Sequence, residues 1–495
     1  MGMNTFLKLS LLLGGASAVL ASSNSTASSA SIKATCLAIS KAVSNASAVF
    51  YPGSPTFATD MQRYYVTSAA NATCDVEPGS VSDVSTILKI LGQTTVPFSL
   101  KSGGHAYNPL DSSTPGIQLT LTRLNTIAYD PHTTHLTLGG GLRWDDVNAA
   151  LDGSGRNVVG GRQQGVGVVG LLQGGGYSYF TSSAGLAADN VVSFEVVVPS
   201  GHVVNASATQ NPDLFWALKG GYNNFGIVTH VTLKTYPQGP VWGGTIVYNT
   251  TYTDRLVAAV ANFSANATDS QCELYFGFQW ANNSLAMFAK IYYNASEPAP
   301  GVFDELLAIP AVDTQLSTMS FRELVGPEVM NARGRHSTYP TPTYTPSLIR
   351  AILNETITRG HAASQLDPST IMIFAVQPFL RTLLTHAPEG SSAYPPSRSF
   401  AYMPSTIEWS WSDPSVDGVM NDGLRDATNS LKGVLEREGQ VVDAAKAGVY
   451  GNFASQHVTT PEEVFGGSLG RLREVKRVWD PRDVMGRTGG WKVTL

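Results

Sequence analysis

The stretch Lys101-Ser102-Gly103-Gly104-His105-Ala106-Tyr107 constrains this chain more than any other. It follows Thr95-Val96-Pro97-Phe98-Ser99-Leu100, a short apolar run that reads as a buried strand. Two adjacent glycines at a strand end let backbone amides turn toward one point and form an anion-binding concavity. The histidine that follows is held at its rim. Strand, glycine nest and presented imidazole together suit a bound phosphorylated cofactor. Gly-Gly turns are common on their own; a second glycine stretch gives the reading its weight. That stretch is Gly165-Val166-Gly167-Val168-Val169-Gly170-Leu171-Leu172-Gln173-Gly174-Gly175-Gly176-Tyr177-Ser178. Its first six residues match G-x-G-x-x-G, and Asp189 falls near the spacing of a ribose-binding acid. The context excludes a Rossmann unit, because Gly160–Gln164 is no strand and Gly174-Gly175-Gly176 blocks a following helix. What remains is an extended backbone without side chains, against which a flat or diphosphate ligand can lie.

A chain of 495 residues exceeds one ordinary domain. Hydrophobic content of 43% against 14% charged residues describes a large core rather than disorder. A net charge of −5 gives no reason to expect nucleic acid or an anionic membrane as partner. Residues 1–21 read as a signal peptide: Lys8 is the basic flank, Leu9–Leu20 is too short to span a bilayer, and Val19-Leu20-Ala21 suits cleavage. Glycosylation triplets stand at Asn24, Asn45, Asn71, Asn205, Asn249, Asn262, Asn266, Asn282, Asn294 and Asn354. A leader with this density of acceptors implies a secreted glycoprotein. Of the 3 cysteines, Cys36 and Cys74 share the N-terminal region and are paired here, leaving Cys272 as a buried free thiol. No Cys or His spacing implies a metal.

In chain order, Ser82 is the expected cap of a helix with Val84, Ile87, Leu88 and Leu91 on one face and Gly92 as its stop. Ile117–Leu121 and Leu136–Leu138 read as strands, and Trp144–Leu151 as a helix. Val191–Val198 and His202–Val204 read as a hairpin. Asn211-Pro212 opens a helix to Leu218, and Ile227–Thr235 is a strand. This is an α+β pattern ending near Pro237. Beyond it, the runs Glu273–Trp280 and Met287–Tyr293 predict a broad antiparallel sheet, with helices around Ser347–Ile357 and Val416–Glu438. One more helix is expected at Leu469–Trp479. The expected organisation is a leader and the start of the first domain over 22–64, the body of that domain over 65–239, a substrate-facing domain over 240–445, and a segment, 446–495, that returns to the first domain.

Several motifs recur together: Lys-Ser-Gly-Gly-His, the second glycine stretch, Gly185-Leu186-Ala187-Ala188-Asp189-Asn190-Val191-Val192, Asn211–Gly221 and Asn224-Phe225-Gly226-Ile227-Val228-Thr229. Near the end stand Tyr450-Gly451-Asn452-Phe453 and Arg471 to Pro481. In this order they resemble the FAD-linked oxidases of the berberine-bridge-enzyme type, within the vanillyl-alcohol-oxidase-like flavoproteins with a PCMH-type FAD-binding domain. The likeness is to a fungal-like secreted member. It implies a two-part FAD domain plus an α+β substrate domain with a broad antiparallel sheet.

By that resemblance His105 carries FAD covalently through the flavin 8α-methyl. Cofactor contacts then fall on Ser102, Gly103, Gly104, His105 and Ala106, on Gly167, Gly170, Gly174, Gly175, Gly176 and Ser178, on Asn190, and on Asn224, Gly226, Ile227 and Val228. Relatives often place a second, cysteinyl flavin bond where this chain has Gln163, so a single histidyl link is expected. Ser468 departs from an asparagine common in relatives. Tyr450 matches a tyrosine used as base, Asn452 would hold it or the ring, and Glu273 and Glu408 are rival carboxylates between which the sequence does not choose. His336, His361, His386 and His457 read as structural. Val166 matches a position where valine accompanies fast reaction with O2. The implied reaction is oxidation of a small organic substrate, a natural-product intermediate or alcohol, with O2 reduced to hydrogen peroxide by a monomer. A carbohydrate oxidase is the rival substrate class, and a non-redox pocket on the same scaffold is the rival of another kind.

Overall fold

The computed structural model describes residues 27–326, 332–399 and 402–495. The proposed leader peptide and Asn24 lie outside them. Three sheets carry the architecture. The first has order β1-β2-β4-β3, formed by Ala48–Phe50 (β1), Cys74–Glu77 (β2), Phe98–Lys101 (β3) and Ile117–Thr120 (β4). β4 runs parallel to both β2 and β3. Helices Ser29–Ala42 (α1) and Val81–Leu91 (α2) cover it, and Val84, Ile87, Leu88 and Leu91 enter one core with Val76, Phe98, Ile117 and Leu119. The cap of α2 is Ser80, whose Oγ accepts from Asp83 N at 3.1 Å, and not Ser82, which lies inside the helix. Cys36 and Cys74 form a disulfide that ties α1 to β2.

The second sheet has order β5-β6-β9-β7-β8, from Ile127–Asp130 (β5), His135–Gly139 (β6), Val191–Val197 (β7), Val203–Ser207 (β8) and Ile227–Lys234 (β9). Trp144–Leu151 (α3), Val168–Gln173 (α4) and Pro212–Leu218 (α5) pack around it. Asn211 precedes α5 in a left-handed conformation and makes no side-chain cap, so Pro212 at the first helical position sets the start. α4 corrects the expectation of a wholly extended second glycine stretch. Val168, Val169 and Leu172 give six residues enough apolar surface to fold as a helix, and the glycine triplet ends it.

The third sheet has seven antiparallel strands: Val241–Tyr248 (β10), Cys272–Ala281 (β11), Ser284–Tyr293 (β12), Ala311–Met319 (β13), Arg333–Ser337 (β14), Ile371–Val376 (β15) and Thr406–Trp411 (β16). Their order is β13-β10-β12-β11-β15-β16-β14. Alternation decides its two faces. Leu274, Phe276, Phe278 and Trp280 of β11, with Ile407, Trp409 and Trp411 of β16, pack against Thr253–Asn266 (α6), Pro346–Leu366 (α7) and Asp417–Arg437 (α8). The intervening residues face the other way. The chain then returns to the core of the second sheet through Val449, Val464, Phe465 and Leu469–Trp479 (α9), which contributes Leu472 and Val475.

Cys272 is a buried free thiol, and burial pushes it up to about 12. Among the described residues no helix is long and apolar enough to cross a membrane. Asn45, Asn71, Asn205, Asn249, Asn262, Asn266, Asn282 and Asn354 are exposed. Asn294 is half-buried, with its Nδ2 donating to Gln271 Oε1 at 3.0 Å.

Candidate active site

The two glycine stretches meet backbone to backbone. A Cβ on Gly103 would stand 2.1 Å from the Gly165 carbonyl oxygen and 2.4 Å from Gly167 N. A Cβ on Gly167 would meet Ser102 Oγ at 2.5 Å. The second stretch is fixed in turn by Trp144 N donating to Val166 O at 2.9 Å and Val168 N donating to Leu142 O at 3.0 Å. The first is fixed by Lys101, whose buried ammonium donates to Asp60 O at 2.8 Å. Where this seam faces the third sheet there is a cavity of about 790 Å³.

His105 lines the cavity. Burial pushes its imidazole down to about 3, so the ring is neutral, and Nε2 is buried without a hydrogen-bond partner. Tyr64 stacks on that ring, with centroids 3.8 Å apart. Opposite stands Glu408 on β16, its carboxylate accepting from Tyr65 Oη at 2.6 Å and from Tyr64 Oη at 3.3 Å. Burial raises the Glu408 carboxyl above its ordinary range, and the two tyrosine hydroxyls and the charge of Lys290 oppose that shift. Alternation puts Glu408 on the cavity face while Ile407 and Trp409 point to the helices.

Glu273 does not line the cavity. It sits behind Arg162, with Arg162 Nη1 3.9 Å from its Oε2, and Ser182 Oγ lies 3.5 Å from its Oε1. Arg162 itself lines the cavity and donates to Gln377 Oε1 at 2.6 Å. Tyr450 also lines it. Asn452 Nδ2 donates to Tyr450 Oη at 3.2 Å and to Leu171 O at 3.3 Å. Burial raises the Tyr450 phenol above its ordinary value in spite of the Asn452 bond, which leaves it a hydrogen-bond donor and a poor base at neutral pH.

The family profile described as FAD binding domain matches residues 72–207, and the one described as Berberine and berberine like matches residues 449–486. An uncharacterized FAD-linked oxidoreductase of Arthroderma benhamiae is 33% identical over 76% of this chain and 77% of its own length. The FAD-dependent monooxygenase tpcD of Cochliobolus heterostrophus is 30% identical over 86% of this chain and 85% of its own. The chain belongs to the berberine-bridge-enzyme-like FAD-linked oxidoreductases. The carbohydrate oxidase of Microdochium nivale shares the fold, with a TM-score of 0.76, 20% identity, and coverage of 94% of this chain and 100% of that one.

The residues of this oxidoreductase fit its cofactor. The cavity offers a neutral imidazole with an orphaned nitrogen, a seam without side chains, and open space at Gly170, where a Cβ would meet nothing within 4 Å. Ser102, Gly103, Gly104, Ala106, Val166, Gly167, Gly170, Gly226, Ile227 and Val228 all line it. Gly174, Gly175, Gly176, Ser178, Asn190 and Asn224 do not. Gly174 makes room for the Asn452 amide and Gly175 for the Tyr394 ring, while Gly176 packs on Ala187. Ser178 is fully buried behind the cavity wall. Asn190 donates to Ala184 O and Leu186 O, both at 2.9 Å. Asn224 donates to Trp491 O at 2.9 Å and accepts from Val493 N at 3.1 Å, pinning the final residues. Ser468 donates to Ala393 O at 2.7 Å.

Of the four histidines read as structural, only His336 lines the cavity; it stacks on Tyr107, and its Nδ1 donates to Phe453 O at 3.1 Å. Tyr64, Tyr65, Arg162, Lys290 and Gln377 belong to no motif, and only the register of the third sheet could have placed them or their partners. Replacing Gly103 by alanine should leave a folded protein destabilised by about 1–3 kcal/mol and free of flavin. A melting curve and the flavin absorbance of the purified variant check this.

Proposed function

We propose that this oxidoreductase is an oxidase that takes a hydride from a carbon bearing an O–H or N–H group, in an aromatic or apolar natural-product intermediate or alcohol. The observation that supports it best is Glu408, a half-buried carboxylate on the cavity wall with its affinity for protons raised. A carboxylate in that state accepts a proton near neutral pH more readily than an exposed one. Tyr65 and Tyr64 both donate to Glu408 Oε1 and so fix the orientation of the carboxylate. FAD held at His105 and along the glycine seam would supply a hydride acceptor beside the substrate carbon, with O2 as the final electron acceptor and hydrogen peroxide as its product. The substrate proton moves to Glu408 as its carbon loses hydride, and Tyr450 and Asn452 hold the reacting group by hydrogen bonds.

Tyr275, Phe288, Ile291 and Ile373 line the sheet side of the cavity, a surface suited to a flat apolar substrate. The Cys36–Cys74 bridge and the exposed acceptor asparagines support passage through the secretory pathway. The flavin is expected on a single histidyl link, because Gln163 offers an amide, not a thiolate, to the cavity.

Peroxide release tests the reading. A panel of aromatic alcohols, polyketide phenols and oligosaccharides should give peroxide with the aromatic members. A response to oligosaccharides alone would replace the substrate class, and no peroxide with any substrate that reduces the flavin would remove the oxidase. With an active substrate, Glu408→Gln should slow anaerobic flavin reduction by about 10²–10⁴-fold. In the wild type that rate should rise with pH through an ionisation above the ordinary carboxylate range, since only ionised Glu408 accepts the proton, and stopped-flow rates against pH show both. Val166→Leu adds one methylene beside the seam. It should slow reoxidation by O2 on the order of tenfold and leave anaerobic reduction nearly unchanged; equal reoxidation rates would take Val166 out of oxygen access.

A further inference from the structure

We propose that Tyr64 is a positioning residue that couples the His105 tether to Glu408, holding the imidazole with its ring face and the carboxyl with its hydroxyl. This rests on the reading of His105 as the attachment point and Glu408 as proton acceptor.

Beside its edge packing on Tyr65 and Tyr107, this side chain makes the contacts that carry the coupling. Its ring lies on the His105 imidazole, with centroids 3.8 Å apart and planes 26° apart. Its hydroxyl oxygen accepts from Gln163 Nε2 at 3.0 Å. The hydroxyl hydrogen points to Glu408 Oε1, 3.3 Å away. A hydroxyl that accepts one hydrogen bond becomes a stronger donor in the next, so Gln163 strengthens the bond to Glu408. The chain Gln163–Tyr64–Glu408–Tyr65 therefore runs from the second glycine stretch to β16, past the face of His105.

The surroundings of Glu408 make the hydroxyl consequential. Tyr65 donates from the N-terminal side at 2.6 Å. His336 stands directly across on β14, and burial pushes it down to about 4, so it carries no charge at neutral pH. Lys290 on β12 is the cation whose charge reaches the carboxylate. Ile373 on β15, the other cross-strand partner, does not titrate. Deleting the Tyr64 hydroxyl therefore removes one of two hydrogen bonds to the ionised form and leaves every charge in place. A hydrogen bond to the charged form favours it, so its loss raises the proton affinity of Glu408 further.

The ring contact has a separate consequence. An imidazole stacked on Tyr64, with Tyr107 edge-on at 5.6 Å, has a fixed plane. Gly165 keeps its distance, because a Cβ there would already be 3.5 Å from His105 Cδ2. Removing the Tyr64 ring frees the imidazole to rotate away from the geometry attachment needs.

Two substitutions separate the two roles. Tyr64→Phe keeps the stack and drops both hydroxyl bonds; Tyr64→Leu drops the stack as well. The readouts are the fraction of flavin that remains with acid-precipitated protein, and the midpoint of the flavin absorbance change on pH titration of the intact holoenzyme without substrate. Glu408→Gln identifies which transition belongs to Glu408, because that variant lacks it. Tyr64→Phe should retain covalent flavin at the wild-type level and move the Glu408 midpoint upward by about half to one pH unit. Gln163→Leu should move it in the same direction by less. Tyr64→Leu should lose most of its covalent flavin. A Tyr64→Phe midpoint equal to wild type, a spectrum whose transitions all survive in Glu408→Gln, or a Tyr64→Leu protein as fully flavinylated as wild type would each overturn the coupling. Wild-type protein that releases its flavin in acid would instead overturn the reading on which the coupling rests.

Discussion

The contact between Gly103 and Gly167 is the constraint on which the site depends. Both residues at the crossing are glycine: beside Gly103 the space is filled by the Gly165 carbonyl and the Gly167 amide, which cannot swing aside as a flexible side chain could, and beside Gly167 by Ser102 and the Gly103 amide. The seam brings a loop of the first sheet against the entry to α4 of the second, and His105 emerges at its edge. Lys101 on one side and the α3–α4 backbone bonds on the other hold that crossing in place. The cavity follows from it, because a surface without side chains leaves room beside a sheet whose own residues alternate in and out.

The third sheet supplies the chemistry through the same alternation. Burying Trp409 and Trp411 against the helices requires Glu408 to face the opposite way, into the cavity. A carboxylate there loses water, which raises its proton affinity. Two tyrosine hydroxyls and a nearby lysine charge return part of what burial removes. The balance leaves a carboxylate with a higher affinity for protons than an exposed one. Burial likewise raises the Tyr450 phenol, against the Asn452 bond and the charge of Arg162.

Much of this was legible in the sequence because the signals were local. Helical periodicity placed Trp144–Leu151 and Leu469–Trp479 with their observed ends, and period-two runs placed β11 and β12. The glycine stretches and His105 announced the seam because few other uses require so many bare backbone positions near one imidazole. What was not legible depended on partners distant in the chain. Glu273 and Glu408 both sit in alternating strands, and only strand register shows that one faces the cavity and the other Arg162. Asn190 and Asn224 lie in motifs that run beside the cavity, yet their amides brace backbone. Tyr64 and Tyr65 precede His105 by some 40 residues in a segment with no pattern of its own. The helix Val168–Gln173 was obscured because its apolar face is only one turn and a half long between glycines.

The most direct test is a mass map of the denatured, proteolysed protein. The peptide containing His105 should carry the mass of FAD, the peptide containing Gln163 should be unmodified, and the acid supernatant should be colourless. FAD released in full into that supernatant, or found on any peptide other than the one containing His105, would contradict the account.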